Sequence, residues 1–296
     1  MKKAIALILC LMCVLCGCQA TKQETTDKIK IVTTIFPIYD FVRAVAGTRA
    51  DITLLIDPAT EVHTFDPSPS DMMKIYDCDV FFYIGGESDK WVDTVSKDIS
   101  EPVALIQSVE AQHGEHSSHN HSDEHIWTSP RNACKMVNKI AEVLSSTDDE
   151  KSDFYQENAK KYIKEIEEVS NLIKDTVAKQ DNPFVIVADR NPYIYLFEEF
   201  SIKYKAALDG CATSAEVSLN TMNELISAVK EKNIKSAFYT EMSNKKIANT
   251  LAAQTGVALY QLHSAHNVTS DEFKSGVTYV QLMRQNAEAL KKGWEK

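Results

Sequence analysis

The chemistry this sequence offers first lies in its eight histidines and where they fall. Five of them, His113, His116, His119, His121 and His125, stand in the stretch QHGEHSSHNHSDEHIWTSPRN from Gln112 to Asn132. Histidine tracts mixed with Ser, Asp and Glu bind transition metals through imidazole nitrogens. The last member differs from the others. His125 is followed by the apolar pair Ile126-Trp127 and then by Thr128-Ser129-Pro130, a helix start with proline at the first helical position. Two kinds of histidine are therefore expected, four in a low-affinity loop and one held by the fold. The remaining three are His63, His263 and His266.

The elements that must position these groups read as alternating strands and helices. Strands are expected over Ile29–Ile35, Ile52–Ile56, Asp79–Ile84 and Val103–Val109, with a helix over Pro37–Gly47 after the first and another from Pro130 through Leu144. The longest periodic stretch, Asp148 to Lys179, places Tyr155, Ala159, Tyr162, Ile166, Val169 and Ile173 three or four residues apart among charges. Strands follow at Phe184–Ala188, near Tyr204, at Lys235–Tyr239 and at Val257–Leu262, and a C-terminal helix begins near Asp271. This alternation predicts an α/β protein with mostly parallel sheets. Its organisation is an N-terminal lobe at 28–147 with a histidine-rich loop at 112–124, a connecting helix at 148–180, and a C-terminal lobe at 181–296.

Ligands of open α/β sheets bind beyond the carboxyl ends of the strands. His63 follows the second strand, His125 the fourth and His263 the last, so histidines of both lobes are expected to point at one cleft. Asp189-Arg190 and Glu241 fall at equivalent strand ends. Neutral imidazoles suit Zn²⁺, Cu²⁺, Ni²⁺ or Fe²⁺ better than the oxygen-seeking Mg²⁺ and Ca²⁺, and zinc accepts four tetrahedral ligands without redox chemistry. Three histidines leave one position open, which formally allows a zinc hydrolase with Glu241 as general base. However, the sequence holds no H-E-x-x-H, nucleophile elbow or Gly-rich phosphate loop. A second alternative is a surface metal-buffering or adhesin lipoprotein whose only site is the loop.

The first residues read as a secretion signal. Lys2 and Lys3 precede the apolar run Ala4 to Leu15, which is too short to span a membrane comfortably. The run ends in Leu15-Cys16-Gly17-Cys18, which resembles the lipobox of bacterial lipoproteins. A signal peptide over 1–17, acylation at Cys18 and a lipid-anchored linker over 18–27 are expected, placing the chain outside the cytoplasm on the cell membrane. Cys78, Cys134 and Cys211 remain, an odd number without CxxC spacing. Neither a disulfide framework nor a thiolate zinc site is supported, and a Cys134–Cys211 bridge stays open. The net charge of −10 disfavours nucleic acid as a partner.

Five segments together resemble the zinc- and manganese-specific solute-binding proteins of bacterial ABC transporters. They are TEVHTFDPSPSD, EHIWTSPRNA, ADRNPYIYLFEEF, AEVSLNTMNEL and LYQLHSAHNVT, met in that order within about residues 28 to 292. The resemblance implies two Rossmann-like lobes bridged by a rigid backbone helix, a metal at the lobe interface, and a monomer that delivers its ion to a membrane permease. It carries His63, His125 and His263 over as ligands. The chain departs from the family pattern at Arg190, where a histidine or glutamate is usual, and at His263, where aspartate is usual. A guanidinium has no lone pair to donate, so Arg190 is expected to pair with Glu241 or Glu216 beside the site. The fourth ligand is then water, Glu241 or His266. Histidine in place of aspartate favours Zn²⁺ over Mn²⁺.

Overall fold

Two four-stranded parallel sheets, built from opposite halves of the chain, carry the structure. It is a computed structural model that describes residues 28–95, 99–110, 123–210 and 216–295. The signal and linker at 1–27 with Cys18, the loop histidines His113, His116, His119 and His121, and Cys211 with its candidate bridge lie outside the described residues. The first sheet has the order β2-β1-β3-β4, with β1 at Ile29–Thr33, β2 at Ala50–Leu54, β3 at Val80–Tyr83 and β4 at Pro102–Ala104. The second repeats the plan as β6-β5-β7-β8, with β5 at Phe184–Asn191, β6 at Lys203–Asp209, β7 at Ser236–Tyr239 and β8 at Ala258–Gln261. The central strands bury apolar runs on both faces, residues 80–82 in β3 and 185–188 in β5, as parallel sheets require.

The helix Pro130–Thr147 begins as its sequence implies, with the Ser129 side chain accepting from Asn132 N and proline in its first turn. Its buried residues Ala133, Met136, Val137, Ile140, Ala141 and Leu144 form one stripe. After a short 3₁₀ turn the long helix Ser152–Val177 packs back against it. At 26 residues that helix is about 39 Å long. A single apolar core joins Ile31 and Phe82 of the first sheet, Ile166 of the long helix, Val187 and Phe238 of the second sheet, and Met283 and Leu290 near the C-terminus. Each sheet also covers its outer face with a smaller cluster of its own.

Three local readings change. The fourth strand stops at Ala104, where its pairing with Tyr83 ends, and Ser108 folds back on the Leu105 carbonyl to open a helical turn at Gln107–Glu110. The C-terminal helix is two helices, Ser270–Ser275 and Tyr279–Trp294. Gly276 at φ 74° turns the chain, and Thr278 opens the second helix with a reciprocal cap to Gln281. Strand β5 runs on through Asp189 and Arg190 to Asn191, with its register shifting between Val187 and Arg190.

Asp40 ties three of these elements together. Its buried carboxylate accepts from Arg43, from the Tyr162 hydroxyl of the long helix, and from Tyr279 N at 2.8 Å where the last helix starts. Burial raises the Asp40 pKa, against the opposing pull of Arg43, Tyr162 and Tyr279. An acid whose folded pKa exceeds its unfolded one favours folding most at low pH, and that contribution fades as pH rises through the raised value. Tyr162→Phe removes one donor from a charge that water cannot reach. We expect it to lower the unfolding free energy by about 1–3 kcal/mol at neutral pH, with a smaller deficit in acid, where a protonated carboxyl needs the donor less. Urea titrations at two pH values measure this, and an unchanged midpoint at neutral pH would contradict it.

Candidate metal centre

His63 lies in the loop after β2, His125 just before the 3₁₀ turn Ile126–Thr128, and His266 in the loop after β8. One ring nitrogen from each lies within 4.8 Å of the others. The rings meet edge to face, with centroids 5.0 to 5.7 Å apart. Nitrogens bound to one tetrahedral zinc stand roughly 3.4 Å apart. Side-chain shifts on the order of an ångström therefore bring the three onto one ion.

The surrounding hydrogen bonds determine which nitrogen each ring presents. Asp123 Oδ1 lies 2.9 Å from both His125 N and His125 Nδ1. A carboxylate only accepts, so the His125 proton sits on Nδ1 and the lone pair on Nε2. His63 is oriented through an intermediary, Ser88. Glu124 accepts Ser88 N at 2.8 Å on one oxygen and the Ser88 hydroxyl on the other. With its only proton given to Glu124, Ser88 Oγ accepts from His63 Nδ1 at 3.1 Å, and Glu124 Oε1 lies 3.5 Å from the same nitrogen. His63 thus also presents Nε2. The Nε2 of His266 is buried and has no hydrogen-bond partner. Its pKa is pushed well below the ordinary value by burial and then by His125 and His63, against Glu124. The ring is neutral and its nitrogen open to a metal, so the donor set fits a nitrogen-seeking dication.

Two acidic neighbours offset the charge such an ion would bring. Glu124 is fully buried. Burial works to raise its pKa, but the His63 hydrogen bond, the neighbouring His266 and the two Ser88 donors outweigh it and hold the value at about 2. This charge supports the fold fully above the ordinary carboxylate pKa, and the contribution is lost progressively as pH falls from there through about 2. Both acids sit where the chain has no side chain in the way. A Cβ at Gly86 would overlap Glu124, and one at Gly210 would stand 2.8 Å from the Asn191 carbonyl and 3.1 Å from Asp123 Oδ2. Trp127 walls the centre, its indole 4.8 Å from the His266 ring and 5.2 Å from that of His125, and it donates to the Ser264 carbonyl at 2.8 Å.

His63 and His125 lie in the cluster as their strand-end positions imply, but His263 stays outside it and His266 takes that place. The His263 Nδ1 lone pair is used inside the turn, accepting Ala265 N at 2.9 Å, while Asn286 brackets its backbone at 2.6 and 2.7 Å. Ala265 then adopts φ 58°, and this left-handed step directs His266 to the cleft. Arg190 pairs with Glu61 at 3.5 Å rather than with Glu241 or Glu216. Glu241 lines the cleft, but its two oxygens accept Ser264 N at 2.8 Å and Ser264 Oγ at 2.5 Å. Glu216 is exposed and lies 4.0 Å from Lys246. Among the described residues no fourth His, Cys, Asp or Glu joins the cluster. The cleft of about 270 Å³ in front of it is lined by Glu61, Arg190, Thr240 and Met242 among others. Asp123, Glu124, Ser88 and Glu61 were not anticipated, although the run Asp123-Glu124-His125 carries the signal of acids placed to orient a ligating imidazole.

Comparison with known proteins places this geometry among relatives. Residues 31–293 match the family described as "Zinc-uptake complex component A periplasmic". The high-affinity zinc uptake system protein ZnuA of Bacillus subtilis is 29% identical over 93% of this chain and 92% of its own length. The zinc-binding lipoprotein AdcA of Streptococcus pneumoniae is 31% identical over 98% of this chain, which spans 60% of AdcA's length. The crystal structure of the Zn(II)-bound ZnuA-like domain of that AdcA superposes with a TM-score of 0.77, at 28% identity, over 91% of this chain and all of the domain. The fold, the order of the motifs and this match along nearly the whole chain agree, and the chain belongs to the zinc-uptake component A family.

Proposed function

We propose that this chain captures Zn²⁺ outside the cytoplasm and hands it to the membrane permease of an ABC transporter, as a binding protein and not an enzyme. The observation that carries this reading is the set of three imidazoles that each bring one ring nitrogen within 4.8 Å of the others, with Nδ1 engaged on His63 and His125 and Nε2 buried without a partner on His266. His63, His125 and His266 are the protein ligands, with water completing a tetrahedral shell. Glu124 and Asp123 supply negative charge without touching the ion, so the site keeps nitrogen donors and still balances a dication. Such a donor set favours Zn²⁺ over Mn²⁺, which prefers oxygen. Engaged by Ser264, Glu241 is poorly placed to activate a water, which argues against the hydrolase alternative.

The remaining parts of the proposal concern delivery. Acylation at Cys18 would hold the monomer beside its permease, since two or three acyl chains anchor stably where one does not. The histidines His113, His116, His119 and His121 would act as a low-affinity collector, feeding the tighter centre from the segment that leads into His125.

Calorimetry of the metal-depleted protein is expected to give one tight zinc per chain, and competition to rank zinc above manganese. His266→Ala should abolish the tight site, whereas His263→Ala should lower the unfolding midpoint yet retain it. The reverse ranking would overturn the assignment of ligands. Asp123→Asn leaves every ligand in place but frees the His125 tautomer. A loss of roughly 10–100-fold in zinc affinity is expected, the usual consequence of removing an outer partner. An affinity equal to the parent's would show that Asp123 has no part in orienting the ring.

A further inference from the structure

We infer that Asn267 is a positioning residue for the metal centre, fixing the His63 loop of one lobe against the His266 loop of the other. The side chain is almost completely buried between the lobes. Its Nδ2 donates to the carbonyls of Asp57 at 3.0 Å and Thr60 at 2.9 Å, while its Oδ1 accepts Val268 N at 2.8 Å. All three hydrogen-bonding positions that the amide uses are backbone groups, two on the strand-to-His63 connection and one on its own loop. A further backbone bond, Ala59 N to the Val268 carbonyl at 2.8 Å, runs beside them.

The backbone on both sides of this clasp is held in an uncommon conformation. Ala59 has φ 67° and Ala265 φ 58°, the left-handed region that alanine rarely adopts. Such conformations persist where the surroundings over-determine them. The Asp57 carbonyl receives Thr60 N, the Thr60 hydroxyl and Asn267 Nδ2, so the turn that launches the His63 segment is closed from both lobes. His266 directly precedes Asn267 and His63 lies three residues beyond Thr60. The amide thus sets a distance between two ligands whose own side chains cannot set it, because the ligands belong to different sheets.

This inference rests on the zinc reading above. The test uses the full chain with Asn267→Ala, the near-isosteric Asn267→Asp, which turns an acceptor toward two carbonyls, and the milder Asn267→Ser. Zinc affinity is measured by competition with a chromogenic chelator, cobalt substitution reports coordination geometry through its visible absorption, and thermal unfolding of the metal-free proteins reports the fold. Asn267→Ala and Asn267→Asp are expected to bind zinc roughly 10–100-fold more weakly, mainly through faster dissociation, with altered cobalt bands. Asn267→Ser should fall between them and the parent, and it carries the test if the other two fail to fold. Variants that unfold earlier but bind zinc within about twofold of the parent, with unchanged cobalt bands, would overturn the positioning role. A parent protein without a tight zinc site would instead overturn the functional reading itself.

Discussion

A candidate metal centre whose imidazoles come from both halves of the chain imposes the governing constraint on this molecule. His63 and His125 belong to the first half of the chain and His266 to the second, so the site is only as well defined as the junction between the halves. A flexible linker could not meet that requirement. The junction is instead continuous interior, with residues of both sheets, the long helix and the C-terminal helix in one apolar core. Close-packed interiors transmit displacement rather than absorbing it. Asp40 adds a directional element to this non-directional packing, since its carboxylate joins the first helix to the long helix and to the start of the last.

Within that frame the centre is built from the outside inward. Asp123 accepts the Nδ1–H of His125 directly, and Ser88, itself donating to Glu124, accepts that of His63. The imidazoles are therefore oriented by acceptors that never need to reach the ion. Such an arrangement would place negative charge near a bound dication while presenting only nitrogen to it, a separation of charge from ligation that a directly bound carboxylate could not achieve. Arg190 is held by Glu61 across the cleft mouth and so adds no net charge there.

Much of this was legible in the sequence, and what was not has identifiable physical causes. The two-sheet plan follows from strand and helix periodicities, and the start of the Pro130–Thr147 helix was written in Ser129-Pro130. His63 and His125 follow from their places after strands. The choice between His263 and His266 does not, because it depends on a left-handed residue at Ala265, where nothing about alanine announces the turn. The partner of Arg190 was equally hidden. Glu61 is remote in sequence and reaches it only once the lobes are docked. The last helix was over-extended because the apolar pattern continues through Gly276, where one glycine and a threonine cap outweigh periodicity. Asp123 and Glu124 were visible as residues, but their roles emerge only beside Ser88 and Gly210.

Those last neighbours carry a wider consequence. Neither Gly86 nor Gly210 has the positive φ that usually accounts for a glycine. Each matters for the room it leaves to an acidic side chain. A methyl group at Gly86 would displace the Glu124 carboxylate, and one at Gly210 would strike the Asn191 carbonyl and crowd Asp123 beside the oxygen that accepts from His125. The nitrogen that each imidazole of the candidate centre presents is thus decided partly by two atoms the chain lacks. Tolerance to substitution here follows the reach of proton bookkeeping, not distance from the ion.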